Sequence, residues 1–416
     1  MITGTFLKLK KTKILSNFVN LSSIQLSNAL LMILLYPIIT RIVGLEAFGM
    51  IMVTNAFAGI CGILVNYGTI QTSIKEVSIL KDKKENLSGI VVNTYAIRLT
   101  LFIVVALLLV LSSFFISNNY LFYLLTLPLI FAEVLNPMFF FVGVQNLRVF
   151  NASNLISKIT TVLLIVIFIK GAEEAIWVNF LMGSILSLTY ILLIFYAARK
   201  YVLQFIWPSH LSQMLILKGN FYLFINNIAV HLQQSLMLFA LQKWGTAELL
   251  GAYSLGDKVI WSSRLLLMSI SNAVYPSSAR LFYNNPQLWP NFKRKIKLSV
   301  GCIFLLGSIV LFASPELIVK ILTGEANANA VLFLRQMAFV PFISALNLMN
   351  VLDRLLHNDH YTIFKIAVII LVVSAVTSYS MVTISDINII GYYVLVTELN
   401  SLLLYEYFIR RNRLNA

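Results

Sequence analysis

The stretch IVVNTYAIRLTLFIVVALLLVLSSFF, residues 90–115, decides how the rest of the chain is read. It runs for 26 residues with a single charge, Arg98. About 20 mostly apolar residues suffice for a helix to cross a bilayer, so this is a membrane span. The pattern recurs. In the first half it falls at roughly 17–39, 47–67, 90–115, 120–142, 153–170 and 176–197. In the second half it falls at roughly 218–241, 248–272, 298–320, 330–352, 361–383 and 388–408. The expected fold is an all-α polytopic membrane protein of about twelve transmembrane helices.

Composition supports this. Of 416 residues, 59% are apolar and 11% charged, against roughly 25% charged in an ordinary soluble domain. A soluble enzyme and a disordered chain are both excluded. Cys61 and Cys302 lie inside apolar runs and suggest neither a disulfide framework nor a zinc site. Lys8, Lys10, Lys11 and Lys13 precede an apolar run that is too long for a signal peptide core of roughly 7–15 residues. That run is expected to be the first membrane helix, retained.

The net charge is +15, from 31 Lys and Arg against 16 Asp and Glu. Here the cations sit between apolar runs, so they set membrane orientation rather than recruit nucleic acid. With the N-terminus in the cytoplasm, alternate loops place 20 cations inside and four outside, namely Arg41, Lys170, Lys243 and Lys320. The expected topology is N-in and C-in. The longest loops, near 70–89, 198–217 and 273–297, fall on the cytoplasmic side. The outside loops are too short to form an extramembrane catalytic domain.

An internal repeat divides the chain. After the first span come Arg41, Glu46 and Gly49; after the seventh come Lys243, Glu248 and Gly251, at identical spacing. Both copies open a six-helix unit, which implies a parallel repeat with its axis along the membrane normal. The expected lobes are residues 1–205 and 206–416. Glu46 and Glu248 sit where a helix N-terminus favours an acid, so a cap accounts for them.

Several segments carry a family likeness. They are Pro37–Gly49; Asn66-Tyr67-Gly68 with Ser73; Asn136-Pro137 through Gln145; Gly251 through Ser254 with Lys258; Val274 through Arg280; and Glu398. In order and in helix count they resemble the polysaccharide flippases of the multidrug/oligosaccharidyl-lipid/polysaccharide (MOP) exporter superfamily, specifically O-antigen (Wzx-type) transporters. Phe139, Gln145 and Asp257 depart from that pattern. The resemblance implies a MATE-like fold in the bacterial inner (cytoplasmic) membrane, in which two lobes work by alternating access. It implies transport of an oligosaccharide linked to undecaprenyl diphosphate from the cytoplasmic to the periplasmic leaflet. Proton or sodium coupling, and contact with polymerase or export machinery, go with it. No cofactor is expected.

Charge inside a bilayer is costly and normally faces a cavity or a partner. Lys158, Lys218, Lys365 and Glu406 lie near cytoplasmic ends and can snorkel, and Glu316 and Lys320 can pair four residues apart. Six charges lie deeper: Arg98, Glu133, Asp257, Lys258, Arg264 and Glu398. In one reading Arg98, Lys258 and Arg264 line a cavity and attract the substrate's diphosphate or acidic sugars, arginine through its forked donors. Trp261 would stack on sugar, and Glu133, Asp257 or Glu398 would bind the coupling ion. In the other, the six pair with one another and only orient helices. Trp177 and Trp244 sit at span ends, as belt residues do.

His357-Asn358-Asp359-His360 falls in a short cytoplasmic turn, where solvated polar residues are the default and metal binding is not expected. No phosphate-binding glycine loop points to an ATPase. A small-molecule exporter on the same fold is the alternative function. A membrane glycan polymerase or transferase is the alternative from another class, opposed by the short outside loops.

Overall fold

The computed structural model describes residues 35–80, 84–112, 119–357, 359–384 and 387–414. Lys8, Lys10, Lys11, Lys13, Lys81, Lys83 and most of the expected first helix lie outside the described residues. Among the described residues every regular element is helical. In chain order these are α1 (35–43), α2 (Leu45–Asn66), α3 (Thr69–Leu80), α4 (Lys84–Ser112), α5 (Tyr120–Leu124), α6 (Leu127–Leu135), α7 (Met138–Gly143), α8 (Leu147–Phe168) and α9 (Trp177–Tyr201). There follow α10 (His210–Trp244), α11 (Ala247–Asn284), α12 (Trp289–Ala313), α13 (Pro315–Thr323), α14 (Ala328–Met337), α15 (Val340–Leu356), α16 (His360–Thr383) and α17 (Tyr392–Leu414).

Among the described residues, eight helical stretches are long and apolar enough to cross a membrane, in α2, α4, α5–α7, α8, α9, α12, α14–α15 and α16. The expected count of twelve is therefore not confirmed. α10, α11 and α17 have the length, but polar residues interrupt their apolar character. These include Asn226, Asn227 and His231 in α10, Asp257, Lys258 and Arg264 in α11, and Glu398 in α17. The outward face of α4 shows Leu99, Ile103, Leu107, Leu108 and Leu111, all exposed. A contiguous apolar face of this kind is made for lipid.

Helix ends depart from the expected spans for physical reasons. α10 and α11 hold 35 and 38 residues. At 1.5 Å per residue, α11 is roughly 57 Å long, well beyond a hydrocarbon core of about 30 Å. Much of the expected cytoplasmic loops is thus helix, because charge ends a span without ending a helix. Tyr67 and Gly68 both take left-handed conformations, with φ of 48° and 72°, and break α2 from α3. The expected span at 120–142 is three helices, broken ahead of Pro128 and at Pro137. The span at 298–320 divides at Ser314, and that at 330–352 at Ala338 and Phe339, ahead of Pro315 and Pro341. Proline lacks the amide that would continue each ladder.

Contacts divide the chain into two compact units. The first is Met50–Ser235; the second joins the residues up to Gly49 to those from Leu236 onward. In the first unit, Gly183 lets α9 close on α6: a Cβ there would collide with the backbone of Pro128 and Leu129. Ser187 donates to the Pro128 carbonyl at 3.0 Å along the same seam. In the second unit α14 and α15 are interior, with Phe333, Leu334, Met337, Val340, Ala345 and Met349 buried. Gly49 and Gly251, the repeat-equivalent glycines, pack on one another: a Cβ on Gly49 would stand 2.7 Å from the Gly251 amide nitrogen. Small residues at such a crossing let helix backbones approach.

Candidate functional site

A cavity of about 610 Å³ opens in the first unit among α2, α3, α6 and α10. Among the described residues Glu133, from α6, is the one carboxylate in its lining. Around it stand Asn55 and Asn66 of α2, Gln71 of α3, and Asn226, Asn227 and His231 of α10. Amides and imidazole both donate and accept hydrogen bonds without net charge. Such a lining suits a ligand rich in hydroxyl groups.

The cavity wall is tied down from behind. Asn179 of α9 donates to the Ile51 carbonyl at 3.0 Å and to Thr54 Oγ1 at 2.9 Å. Its own carbonyl oxygen accepts from Asn55 at 3.3 Å. Asn66 Oδ1 accepts from the Ile70 amide at 3.2 Å and so caps α3. Gly62 is small enough to admit the Glu133 stem, which would lie 2.9 Å from a Cβ at that position.

Arg98 lies behind this wall rather than in it. It is fully buried, at 0% exposure. Pro137 cannot supply the amide that the Glu133 carbonyl, four residues earlier, would receive in a continuous helix. Arg98 Nη1 donates instead to that carbonyl at 3.4 Å and to the Asn136 carbonyl at 2.8 Å. A cation at a helix C-terminus also opposes the local dipole favourably. Arg98 Nε donates to Thr69 Oγ1 at 2.8 Å, and Thr69 Oγ1 in turn donates to the Asn66 carbonyl at 2.6 Å. The guanidinium carbon lies 5.1 Å from the centroid of the Phe139 ring. One arginine thus anchors the break in α6–α7 that carries Glu133 and the α2–α3 turn that carries Asn66. The Glu133 carboxylate accepts from Asn136 Nδ2 at 3.3 Å.

The other four deep charges belong to the second unit and meet in pairs. Asp257 and Lys258 lie 3.6 Å apart on α11, and Arg264 meets Glu398 of α17 at 2.5 Å. Asp257 is also within electrostatic reach of Arg264, Tyr253 and Tyr393. Lys258 lines a second cavity of about 530 Å³ whose remaining wall is mainly apolar, including Leu255, Val259 and Phe304. Trp261 is half-buried and lines neither cavity. Breaking a buried ion pair by removing one partner typically costs about 3–5 kcal/mol. Arg264→Gln and Glu398→Gln are each expected to lower the unfolding temperature of the purified protein, and R264Q/E398Q to recover most of the loss. Additive losses in the double variant would show that the two residues do not stabilise each other.

Other expectations are resolved by geometry. Glu316 faces Arg335 at 4.0 Å rather than pairing with Lys320, because α14 brings a longer, forked partner to it. Glu406 takes Lys297 at 2.6 Å. Trp177 and Trp244 are partly exposed, as belt residues are. In the His357–His360 turn, Asp359 caps α16 by accepting from the Thr362 amide. Partial burial pushes its carboxyl up, but hydrogen bonds from Thr362 and Arg354 outweigh that and hold it below the ordinary aspartate range. Among the described residues no cluster of three His, Cys, Asp or Glu side chains could hold a metal ion.

Asn55, Asn66, Gln71, Asn226, Asn227 and His231 are the lining residues that reading the sequence for deep charge passes over. One signal marks three of them. Asn226, Asn227 and His231 fall within about one and a half turns of α10, in a stretch, 221–232, whose other residues are apolar or aromatic.

The sequence profile of the family described as "Polysaccharide biosynthesis protein" matches residues 14–282. The Escherichia coli (strain K12) protein named "Putative O-antigen transporter" is 23% identical over 418 residues, covering 97% of this chain and 98% of its own. Two solved structures of multidrug resistance MATE family transporters of the MOP superfamily share the fold. The inward-facing one has a TM-score of 0.75 at 13% identity, covering 94% of this chain and 98% of that one. The outward-facing one has a TM-score of 0.68 at 14% identity, covering 95% of each.

Proposed function

The chain belongs to the polysaccharide biosynthesis protein family, and from that premise we propose that it is a flippase for a lipid-linked oligosaccharide. It would carry an undecaprenyl-diphosphate-linked repeat unit, of the O-antigen kind named for its E. coli relative, from the cytoplasmic to the periplasmic leaflet. The single observation that carries the reading is the lining of the Glu133 cavity. Five amides and a histidine around one carboxylate offer a dense set of neutral donors and acceptors, which sugar hydroxyls match. Alternating access between lobes 1–205 and 206–416 is the mechanism we assign.

Glu133 is our first candidate for proton or sodium coupling. Asp257 and Glu398 each have a cation at their carboxylate, whereas the Glu133 carboxylate has an amide. Lys258 and Arg264 remain candidates for the diphosphate only in a state where those pairs open. Arg98, with Nε on Thr69 and Nη1 on two carbonyls and outside the cavity lining, acts as a positioning residue in this scheme.

The experiment is a deletion strain. It should accumulate the lipid-linked repeat unit on the cytoplasmic leaflet and lose surface glycan, and Glu133→Ala should fail to restore export while still reaching the membrane. Normal glycan in the deletion strain would sink the reading. A small-cation exporter is the second reading, favoured by the fact that, among the described residues, the only full charge lining that cavity is an acid. It predicts sensitivity of the deletion strain to cationic dyes with glycan intact.

A further inference from the structure

We propose that the cavity between the cytoplasmic ends of α12 and α17 binds the headgroup of a membrane phospholipid carrying two phosphates. The cavity measures about 650 Å³ and is lined by one residue of α12, Lys297, and otherwise by α17. Leu403 and Tyr407 form an exposed apolar strip, 64% and 56% accessible, on the α17 face that leads into it. One turn further along come Arg410 and Arg411, both exposed. Residues four and seven or eight apart share a helix face. The same face therefore runs from apolar to doubly cationic, in the order in which a lipid runs from chain to headgroup.

The charge balance indicates the ligand. The acid in the lining, Glu406, is already satisfied, taking Lys297 Nζ at 2.6 Å and Asn350 Nδ2 at 2.9 Å on one oxygen. Arg410 and Arg411 are in no ion pair among the described residues. Two guanidinium groups are left to be neutralised. Neighbours on a helix point about 100° apart, so they hold two separated phosphates better than one. Each can grip a phosphate through paired N–H donors. Basic pockets between membrane helices on the cytoplasmic side are where such headgroups bind. The apolar strip favours a lipid over a soluble phosphate, and nothing in the proposal depends on which substrate the protein transports.

The test uses delipidated full-length protein in detergent, with cardiolipin as probe and phosphatidylglycerol and phosphatidylethanolamine as comparisons, read by native mass spectrometry. Cardiolipin should be retained in preference to both. R410Q/R411Q should weaken its binding by roughly thirtyfold, the combined effect of two interfacial cations. R294Q/K295Q, which removes two exposed cations elsewhere on α12, should leave it unchanged. Equal weakening by both double variants would overturn the proposal in favour of general surface charge. Displacement of cardiolipin by inorganic diphosphate would overturn it in favour of a soluble ligand. Displacement by a polyprenyl diphosphate but not by phosphatidylglycerol would overturn it in favour of a substrate station.

Discussion

Gly251→Leu is expected to leave little folded protein in the membrane. A Cβ at this position collides with the Leu45 carbonyl, and a Cβ on Gly49 would in turn stand 2.7 Å from the Gly251 amide nitrogen. Overpacking that side chains can absorb costs about 1–3 kcal/mol. Here the obstacle is backbone, and a helix backbone cannot turn aside without losing its own hydrogen bonds, which lipid does not replace. The cost should exceed that range. Gly307→Leu is the control, since nothing lies within 4 Å of a Cβ there. The measurement is the yield of monodisperse protein after detergent extraction. Similar yields for the two variants would show that the glycine crossing is not what holds α2 to α11.

Arg98→Leu is expected to damage both stability and transport. It strips the Glu133 and Asn136 carbonyls of their donor and releases Thr69. A buried polar group left without a partner costs roughly 1–3 kcal/mol, so the two carbonyls alone account for about 2–6 kcal/mol. Arg98→Lys keeps the charge but not the fork, and should fall between the wild type and Arg98→Leu. The distinguishing variant is Pro137→Ala. In the Arg98→Leu background it returns an amide that the Glu133 carbonyl can accept from, and should recover part of the lost unfolding temperature. If Arg98 served only to attract substrate, Arg98→Leu would leave the unfolding temperature unchanged and Pro137→Ala would rescue nothing.

These two residues also mark what the sequence makes legible. Gly49 and Gly251 stand out by repeat spacing alone, and the structure brings them into contact. The breaks at Asn66-Tyr67-Gly68 and Asn136-Pro137 coincide with motifs visible in the sequence, because glycine and proline act locally. Apolar runs locate the lipid-crossing helices for the same local reason. Arg98 is different. Its depth is plain from the apolar run around it, but the carbonyls it satisfies lie 35 and 38 residues away. Hydropathy cannot reveal that a proline has left them open. The cavity amides are hidden similarly. An asparagine in a span registers as a lapse in apolarity, and only packing turns Asn55, Asn66, Asn226 and Asn227 towards one space. The pairing of Arg264 with Glu398 joins helices 134 residues apart, and either residue alone looks like a cavity charge.

Reconstituted vesicles give the sharpest test of lipid-linked glycan translocation. Purified protein is placed in liposomes holding a labelled polyprenyl-diphosphate oligosaccharide in both leaflets, and a glycan-modifying reagent that cannot cross the bilayer is added outside. A flippase carries the inner-leaflet pool to the reagent, so modification should pass the half reached by empty liposomes, and Glu133→Ala should stop it. Modification that halts at one half with wild-type protein, under proton and sodium gradients of either sign, would rule translocation out.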